Sequence, residues 1–340
     1  MNKTVGIIGS GSFGTALAVN FSKFADEVYL KCRNKEFAEE LKIKRYNEYY
    51  LKDVRLDENI TVTGDYETIL KNCKIIFLTV PSKALKNTLL DIKENEDRFD
   101  FGSYIFLNTA KGLGDESMNL PSEVFKSVFG EKMFARYAVL SGPSFAAEVS
   151  RYLPTAVCIA SQNNEILNEI KNFFKNAVNF RVYTLNDVKG VELGGSLKNV
   201  IAIAAGISDG LGLGNNARAA LLTRGIVEMT RFGEVMGADS QTFTGLSGIG
   251  DLMLTAASDL SRNRTVGLRI GRGENIDSIL KGMKMVAEGV ATTKSVHNIA
   301  KEKNIYMPIT EVVYSILYEG LKPSDAIIKL LERDIKDEFI

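Results

Sequence analysis

Short apolar runs alternate with amphipathic segments through the first half of the chain, a pattern typical of parallel strands joined by crossover helices. The runs predict strands at 4–8, 27–32, 74–80, 104–108, 137–140, 155–161 and 180–184, with helices at 83–93, 117–129 and 164–174. Together they predict an α/β fold built on a Rossmann-like, doubly wound parallel sheet. In such a sheet, ligands lie outside the carboxyl ends of the strands.

After Asp187 the strand pattern fades and helical periodicity replaces it. The clearest helix covers 217–236, and its apolar spacing predicts buried positions at Ala220, Leu221, Ile226, Val227 and Val235. The chain is therefore predicted to divide into an α/β domain over 1–186 and an all-helical C-terminal domain over 187–340.

A glycine motif follows the first predicted strand. Gly9, Gly11 and Gly14 form G-x-G-x-x-G between that strand and an apolar helix. The first glycine permits a tight turn, the second lets the backbone approach a pyrophosphate, and the third lets helix and strand pack closely. The motif predicts a dinucleotide whose phosphates lie at the helix N-terminus.

The residue at the end of the second strand bears on which dinucleotide binds. An NAD site usually has Asp or Glu there to accept from the ribose hydroxyls. This chain has Arg33, in the run Lys-Cys-Arg-Asn, and an arginine can pair with a 2′-phosphate. The sequence favours NADP and leaves NAD open; a solvated charge at a strand end is the alternative interpretation.

Lys198 lies in the glycine-rich stretch 190–216, which has the pattern of a helix from about Glu192. Its neighbours one turn away include no carboxylate; they are Gly194, Gly195, Ile201 and Ala202. Burial of such a lysine would lower its pKa and make it a usable proton acceptor. A lysine that extends its ammonium out of a core helix is the alternative.

Other polar motifs stand where the predicted fold holds ligands. Pro81-Ser82, Lys111-Gly112 and the run 141–144 each follow a predicted strand. Lys111 could supply positive charge near a phosphate or lower the pKa of a second lysine. In the second half, 244–251 is a flexible turn that ends in a carboxylate. Ser261-Arg-Asn-Arg264 starts a helix with groups that suit an oxyanion, although an ordinary capped helix start would look the same.

Composition excludes several classes of function. With 42 basic and 42 acidic residues, no net charge attracts nucleic acid or an acidic membrane surface. The sequence shows no signal peptide and no apolar run that approaches the roughly 20 residues needed to span a bilayer. We therefore expect a cytoplasmic protein with no nucleic-acid partner and no integral membrane association.

The cysteines and the single histidine narrow the chemistry further. Cys32, Cys73 and Cys158 stand apart in apolar runs, without metal-site or disulfide spacing, so buried thiols in a reducing compartment and no metal ion are expected. His297 is the only histidine, and it is expected to be packed or partly exposed. Enzymes that use a histidine base would have to place this one residue at the site.

A series of motifs, in order along the chain, resembles the bacterial NAD(P)-dependent glycerol-3-phosphate dehydrogenases. They are Gly-Ser-Gly-Ser-Phe-Gly-Thr-Ala-Leu-Ala, Val-Pro-Ser, Ala-Lys-Gly-Leu, Ser-Gly-Pro-Ser-Phe-Ala, Gly-Gly-Ser-Leu-Lys-Asn-Val-Ile-Ala, Thr-Arg-Gly-Ile-Val-Glu-Met, Gly-Asp-Leu-Met-Leu-Thr and Ser-Arg-Asn-Arg. The resemblance implies hydride transfer between sn-glycerol 3-phosphate and nicotinamide, which yields dihydroxyacetone phosphate. It also implies a role in phospholipid synthesis.

The resemblance also implies roles for single residues. Lys198 takes the position of the proton acceptor. The positions that match substrate contacts are Lys111, Gly142, Ser144, Asp251, Ser261, Arg262 and Asn263. Those that match cofactor contacts, beside the three glycines of the motif, are Ser12, Phe13, Arg33, Lys111, Ala146, Arg262, Val286 and Glu288. The first domain would then bind NAD(P) and the second would bind substrate and carry the catalytic lysine.

Two other functions stay open at this point. A reductase of a 2-oxo acid with the same two-domain plan would also use NADPH and a lysine. A non-enzymatic NADPH sensor would bind the dinucleotide but would not need Lys198. A homodimer is expected, because it is the commonest soluble assembly.

Overall fold

The computed structural model describes residues 3–113, 119–283 and 286–326. The chain divides into two compact units, Met1–Glu192 and Leu193–Ile340. The division falls inside the helix Val188–Gly210, just after the predicted boundary at 186. Each unit is described by itself below.

The first unit contains the strands. In chain order they are β1 Thr4–Ile8, β2 Glu27–Lys31, β3 Tyr46–Asn47, β4 Leu51–Arg55, β5 Ile60–Thr63, β6 Ile75–Leu78, β7 Ile105–Asn108, β8 Tyr137–Ser141, β9 Thr155–Ala160 and β10 Phe180–Leu185. The predicted strands are all present, with ends that differ by a residue or two. No element was predicted between 35 and 72, where β3 to β5 lie, because these strands are short and rich in polar residues.

Eight of these strands form one sheet in the order β10-β9-β8-β7-β6-β1-β2-β5, and β3 pairs with β4 in a separate hairpin. From β5 through β1 to β8 this is the 3-2-1-4-5-6 order of a Rossmann sheet, and neighbouring strands are parallel. The prediction of an all-parallel sheet is wrong at one place, because β9 runs antiparallel to β8. The connection 142–154 contains only a one-turn helix, so β9 starts near the end at which β8 finishes.

The helices of the first unit flank the sheet. They are α1 Ser12–Phe21, α2 Lys35–Lys44, α3 Tyr66–Asn72, α4 Ser82–Lys93, α5 Pro121–Phe129, α6 Ala146–Val149 and α7 Asn164–Phe174. Of the helix predicted at 117–129, residues 117 and 118 lie outside the described chain. Phe21 of α1 packs edge-on against Phe173 and Phe174 of α7, so these two helices share one core.

Among its described residues, the second unit contains helices and the turns that join them, and no strands. After α8 Val188–Gly210 come α9 Gly214–Val235, α10 Ser240–Phe243, a π-helical turn Leu246–Gly250, α11 Asp251–Ala257, α12 Arg262–Gly271, α13 Ile276–Lys281, α14 Glu288–Glu302 and α15 Pro308–Tyr318. Helix α8 is long and apolar enough to cross a membrane, against the sequence expectation, but the whole of its most apolar window is buried. That burial is typical of a core helix.

The buried face of α9 was predicted wrongly. Val235 is 52% exposed and Ala220 is exposed, whereas the buried positions are Gly225, Glu228, Met229, Phe232 and Gly233. The true face is marked by two glycines and a glutamate, residues that a count of apolar side chains overlooks. Glu228 is buried because it accepts the backbone N–H groups of Ile309 and Thr310 at the start of α15.

The cysteines and the histidine lie as expected. Cys32, Cys73 and Cys158 are free thiols and are buried, and burial raises the pKa of Cys73 to about 12. His297 is half-buried and stacks on Tyr314 with ring centroids 3.8 Å apart. Among the described residues, no group of three or more His, Cys, Asp or Glu could hold a metal ion.

Candidate active site

The three glycines of the loop between β1 and α1 serve different geometric needs. Gly9 has a φ of +115°, a backbone conformation that residues with a side chain rarely adopt. A Cβ on Gly14 would lie 1.9 Å from the Gly9 carbonyl oxygen, so only glycine lets α1 approach the loop this closely. A Cβ on Gly11 would have no atom within 4 Å, so the space above this residue is open. Residues present here therefore fit a bound pyrophosphate at the start of α1.

Side chains that the sequence did not single out hold this loop in place. Asn47 is fully buried, and its amide nitrogen donates to the Ser10 carbonyl and to the Thr15 hydroxyl, both at 2.8 Å. The Thr79 hydroxyl bonds to the Gly9 carbonyl at 2.7 Å. Their partners are 32 to 70 residues away in the sequence, so no local pattern marks them.

Two of the predicted cofactor residues begin α1. The Ser12 hydroxyl donates to the Tyr50 carbonyl of the neighbouring hairpin at 2.9 Å. Phe13 is half-buried and packs against the core of the first unit. The N-cap residue, Gly11, has no side chain to accept from the first backbone N–H groups of α1.

Arg33 stands in the exposed turn between β2 and α2. Asn34 caps α2, because its side-chain oxygen accepts from the Glu36 N–H at 2.7 Å. Lys31, at the end of β2, is buried under the ring of Tyr66, with its ammonium 3.6 Å from the ring centroid. Burial lowers the pKa of Lys31. Positive charge is thus concentrated where the strand ends.

Lys111, Gly142 and Ser144 come together at the carboxyl ends of β7 and β8. The Lys111 ammonium and the Ser144 hydroxyl both donate to the Gly142 carbonyl, at 2.9 and 3.0 Å. Gly142 has a φ of +123°, so this turn requires glycine. Ala146, the first residue of α6, packs against the core beside them.

Lys198 does have a carboxylate partner, and it comes from outside its own helix. Its ammonium lies 2.6 Å from Asp251 Oδ1 and 2.7 Å from the Thr255 hydroxyl. Lys198 is 5% exposed and Asp251 is 1% exposed, so the pair is held away from water. Burial disfavours the charged ammonium and the carboxylate favours it. The sequence correctly showed no carboxylate one turn away from Lys198, but it did not show this partner, which lies 53 residues further along the chain.

Thr255 is the member of this cluster that the sequence analysis missed. It lies one turn after Asp251 on α11, and its hydroxyl donates to the Asp251 carbonyl at 2.6 Å. Because its proton is given to that carbonyl, the Thr255 hydroxyl oxygen turns its lone pairs toward the Lys198 ammonium and accepts from it. The spacing of four residues from Asp251 is the signal that could have found it.

The segment before Asp251 is a π-helical turn and not a flexible loop. Ser247 and Gly248 in this turn are buried. A Cβ on Gly194 would lie 2.6 Å from the Ser247 carbonyl, so this glycine makes room for protein backbone rather than for ligand. The close contact fixes the turn that delivers Asp251 to Lys198.

The start of α12 contacts Asn199, the residue of α8 that directly follows Lys198. The Asn263 amide nitrogen donates to Asn199 Oδ1 at 2.8 Å, and the Asn263 side-chain oxygen accepts from the Gly289 N–H at 3.0 Å. Ser261 is the N-cap, as predicted, and its hydroxyl accepts from the Arg264 N–H at 3.2 Å. Asn263 is thus anchored on both sides.

Arg262, Val286 and Glu288 form a third group in the second unit. One Arg262 nitrogen donates to the Val286 carbonyl at 3.0 Å. Desolvation lowers the pKa of Arg262 and the nearby Glu288 carboxylate partly opposes this, although the residue remains exposed. Glu288 is the first residue of α14. The three positions that resemblance links to one ligand do lie together.

The Rossmann sheet and its glycine loop define a dinucleotide-binding protein. Models of the N- and C-terminal parts of NAD-dependent glycerol-3-phosphate dehydrogenase match residues 4–167 and 187–328. A glycerol-3-phosphate dehydrogenase from Syntrophotalea carbinolica is 44% identical, over 98% of this chain and 99% of its own. The crystal structure of the Coxiella burnetii enzyme is 38% identical with a TM-score of 0.89, over 98% of this chain and 99% of that chain.

The chain belongs to the family of NAD(P)-dependent glycerol-3-phosphate dehydrogenases, and it is an oxidoreductase. A relative from a Thermoanaerobacter species, 43% identical over 98% of both chains, supports the same assignment.

Proposed function

We propose that this chain interconverts sn-glycerol 3-phosphate and dihydroxyacetone phosphate by hydride transfer with NADP or NAD. The observation that carries the proposal is the buried Lys198–Asp251–Thr255 cluster in a chain of this family. The carboxylate and the hydroxyl hold the lysine ammonium in one position and orientation. Reduction of a carbonyl requires a proton donor that is positioned in this way.

The glycine loop would hold the pyrophosphate, and Arg33 the ribose end of the dinucleotide. When bound, the dinucleotide supplies or accepts the hydride at C4 of its nicotinamide. Gly11 leaves space for phosphate oxygens, and the N-terminus of α1 offers backbone N–H groups to them. We also assign cofactor contacts to Ser12, Phe13 and Ala146, and in the second unit to Val286 and Glu288.

The phosphate of the substrate would lie at the first turn of α12. Arg262 offers an exposed guanidinium there, and Ser261 and Asn263 flank it. A guanidinium at a helix N-terminus suits a phosphate because the charge, the N–H donors and the helix dipole act together. Lys111, with Gly142 and Ser144, would supply further contacts to cofactor and substrate.

The proton transfer follows from the Lys198 contacts. In reduction, the Lys198 ammonium gives a proton to the carbonyl oxygen of dihydroxyacetone phosphate as a hydride arrives at C2, and the alcohol forms. In oxidation, the neutral amine takes the hydroxyl proton as the hydride leaves C2. Asp251 and Thr255 orient the nitrogen in both directions and stabilise its charged form.

Several finer assignments belong to the same proposal. NADP is favoured over NAD, because Arg33 stands where a 2′-phosphate would lie. The first domain, 1–186, binds NAD(P), and the second, 187–340, binds substrate and carries Lys198. We further propose a cytoplasmic homodimer that supplies glycerol 3-phosphate for phospholipid synthesis.

The direct test is an assay of the purified protein with dihydroxyacetone phosphate and either NADPH or NADH, followed at 340 nm. We expect oxidation of the reduced dinucleotide, faster with NADPH at low concentration. Turnover with a 2-oxo acid and none with dihydroxyacetone phosphate would reject the proposal in favour of the alternative reductase.

Replacement of Lys198 separates an enzyme from an NADPH sensor. Lys198→Ala should lose nearly all turnover but retain NADPH affinity, measured by fluorescence titration, and fold, measured by circular dichroism. Lys198→Met fills more of the volume and serves if the alanine variant unfolds. Lys132→Met, at an exposed position, is the matched control. Full turnover in both Lys198 variants would contradict the catalytic assignment.

A further inference from the structure

A network of four charged side chains joins the last turn of α8 to the first turn of α12. Asp209 is almost fully buried and accepts from two arginines. Arg264 donates to Asp209 Oδ2 through Nε and Nη2, at 2.9 and 2.7 Å. Arg218 donates to Asp209 Oδ1 through Nε at 2.8 Å, and Asp259 accepts from the third nitrogen of Arg264 at 2.5 Å. None of these residues takes part in the function proposed above.

The backbones of α8 and α12 also touch directly. A Cβ on Gly206 would lie 2.1 Å from the Arg264 carbonyl, and a Cβ on Gly267 would lie 2.0 Å from the Ile203 carbonyl. The same is true one turn on, where a Cβ on Gly210 would lie 2.4 Å from the Leu268 carbonyl. Later residues of α8 therefore contact later residues of α12, so the two helices run in the same direction. Backbone atoms set the distance between the two helices.

These three glycine contacts fix how close the helices are. Because they are alike, they leave the sliding and rotation of α12 against α8 to be settled by other groups. The hydrogen bond from the Asn263 side-chain amide to Asn199 Oδ1 supplies one fixed point. The bonds from Arg264 Nε and Nη2 converge on Asp209 Oδ2 and supply a second, and two donors on one acceptor restrict the orientation of the guanidinium as well as its distance. Arg264 directly follows Arg262 and Asn263, so its position sets theirs.

We propose that Asp209 is a positioning residue that orients the first turn of α12 for the phosphate of the substrate. This inference rests on the proposed function. Asp209 and Asp259 occupy Arg264, so that its guanidinium is held against α8 and away from the role given to Arg262. Without Asp209, the nearly buried Arg264 would keep only the exposed Asp259 as a counter-charge, so its guanidinium would move toward solvent and shift the helix start.

The test compares dihydroxyacetone phosphate with dihydroxyacetone, which has the same carbonyl but no phosphate. For Asp209→Asn, we expect the KM for dihydroxyacetone phosphate to rise roughly tenfold or more, since small displacements of a positioning group have large effects. The rate with a high concentration of dihydroxyacetone and the Kd for NADPH should stay within about twofold of wild type. Competitive inhibition by inorganic phosphate should weaken in parallel.

Two further variants make the result decisive. Asp209→Glu retains the charge and should give a smaller rise in KM; it carries the test if Asp209→Asn does not fold. Glu274→Gln breaks the Arg269–Glu274 pair at the other end of α12 and should leave both substrates unaffected. Equal losses with both substrates, or an unchanged or lower KM for dihydroxyacetone phosphate, would overturn the inference. Failure of the wild-type protein to turn over dihydroxyacetone phosphate would instead reject the proposed function.

Discussion

At the scale of single residues, the glycine loop shows one residue type meeting opposite needs. Gly14 is required because protein atoms already occupy the place of a side chain, with the Gly9 carbonyl 1.9 Å from a Cβ. Gly11 faces open space, and its φ of −69° is one that any residue adopts. The fold needs glycine at position 14, whereas only a ligand would need glycine at position 11.

Alanine replacements should separate these two roles. Gly11→Ala should leave the melting temperature within about 2 °C of wild type but weaken NADPH binding at least several-fold, because the methyl group fills the phosphate approach. Gly14→Ala should lower the melting temperature clearly. Thermal denaturation and fluorescence titration of both variants make the check. Unchanged NADPH affinity in Gly11→Ala would remove the loop from phosphate binding.

Arg33 is the residue on which the cofactor preference depends. Arg33→Asp should raise the Kd for NADPH by roughly tenfold or more, since a charge-assisted pair is replaced by repulsion. The Kd for NADH should change far less, because that dinucleotide lacks the 2′-phosphate. Lys35→Asp, at an exposed position two residues on, is the matched control. Equal effects on both dinucleotides would exclude Arg33 from this contact.

At the scale of elements, α8 is the scaffold of the second unit. It presents Lys198 to α11, Asn199 to α12 and Gly206 and Gly210 to the α12 backbone. Its glycines are therefore not chosen for helix stability, since glycine is about 1 kcal/mol worse than alanine within a helix. They permit an approach that a methyl group would prevent.

Gly267→Ala tests this approach. Helix propensity alone predicts a gain of about 1 kcal/mol, but the methyl group would meet the Ile203 carbonyl at 2.0 Å. We expect a net loss of about 2 kcal/mol or more in the free energy of unfolding by urea. Gly282→Ala, where the nearest atom is 3.5 Å away, should be neutral or stabilising. A stable Gly267→Ala variant would show that the helices can separate without cost.

At the scale of the whole molecule, each unit contains a buried glutamate that lies outside the candidate site. Glu192 accepts from Ser122 and Tyr137 in the first unit, and Glu228 accepts from the start of α15 in the second. Desolvation raises the pKa of each to about 7 from 4.5, despite opposing hydrogen bonds. The folded chain then binds more protons than the unfolded chain between these values, so its stability should fall as pH rises through this window.

Glu228→Gln isolates one of these contributions. The amide resembles the protonated acid and does not titrate, so near pH 4.5 the variant should be close to wild type. Between pH 4.5 and pH 8, the free energy of unfolding of the variant should rise relative to that of wild type by up to about 3 kcal/mol. Urea unfolding of both proteins across this range gives the difference. A shift in the opposite direction would mean that the ionised carboxylate caps α15 and that its pKa is lowered.

Local pattern alone determined much of this protein. Apolar periodicity located seven of the eight strands of the large sheet, all but β5. Gly9, Gly11 and Gly14 identified the loop, because turn and approach requirements act over a few neighbouring residues. The cap at Ser261 was visible for the same reason. The motifs also carried the resemblance to the family, which the full-length relatives confirm.

Tertiary structure decided what depends on residues far apart in the chain. Asp251 meets Lys198 across 53 positions, and Glu228 meets Ile309 across 81. For that reason Lys198 looked unpartnered, and the buried face of α9 was assigned to the wrong side. The reversal of β9 depended on the path of a connection that has no periodicity to read. Burial of a charged group is settled by its partner, and only the folded chain brings that partner to it.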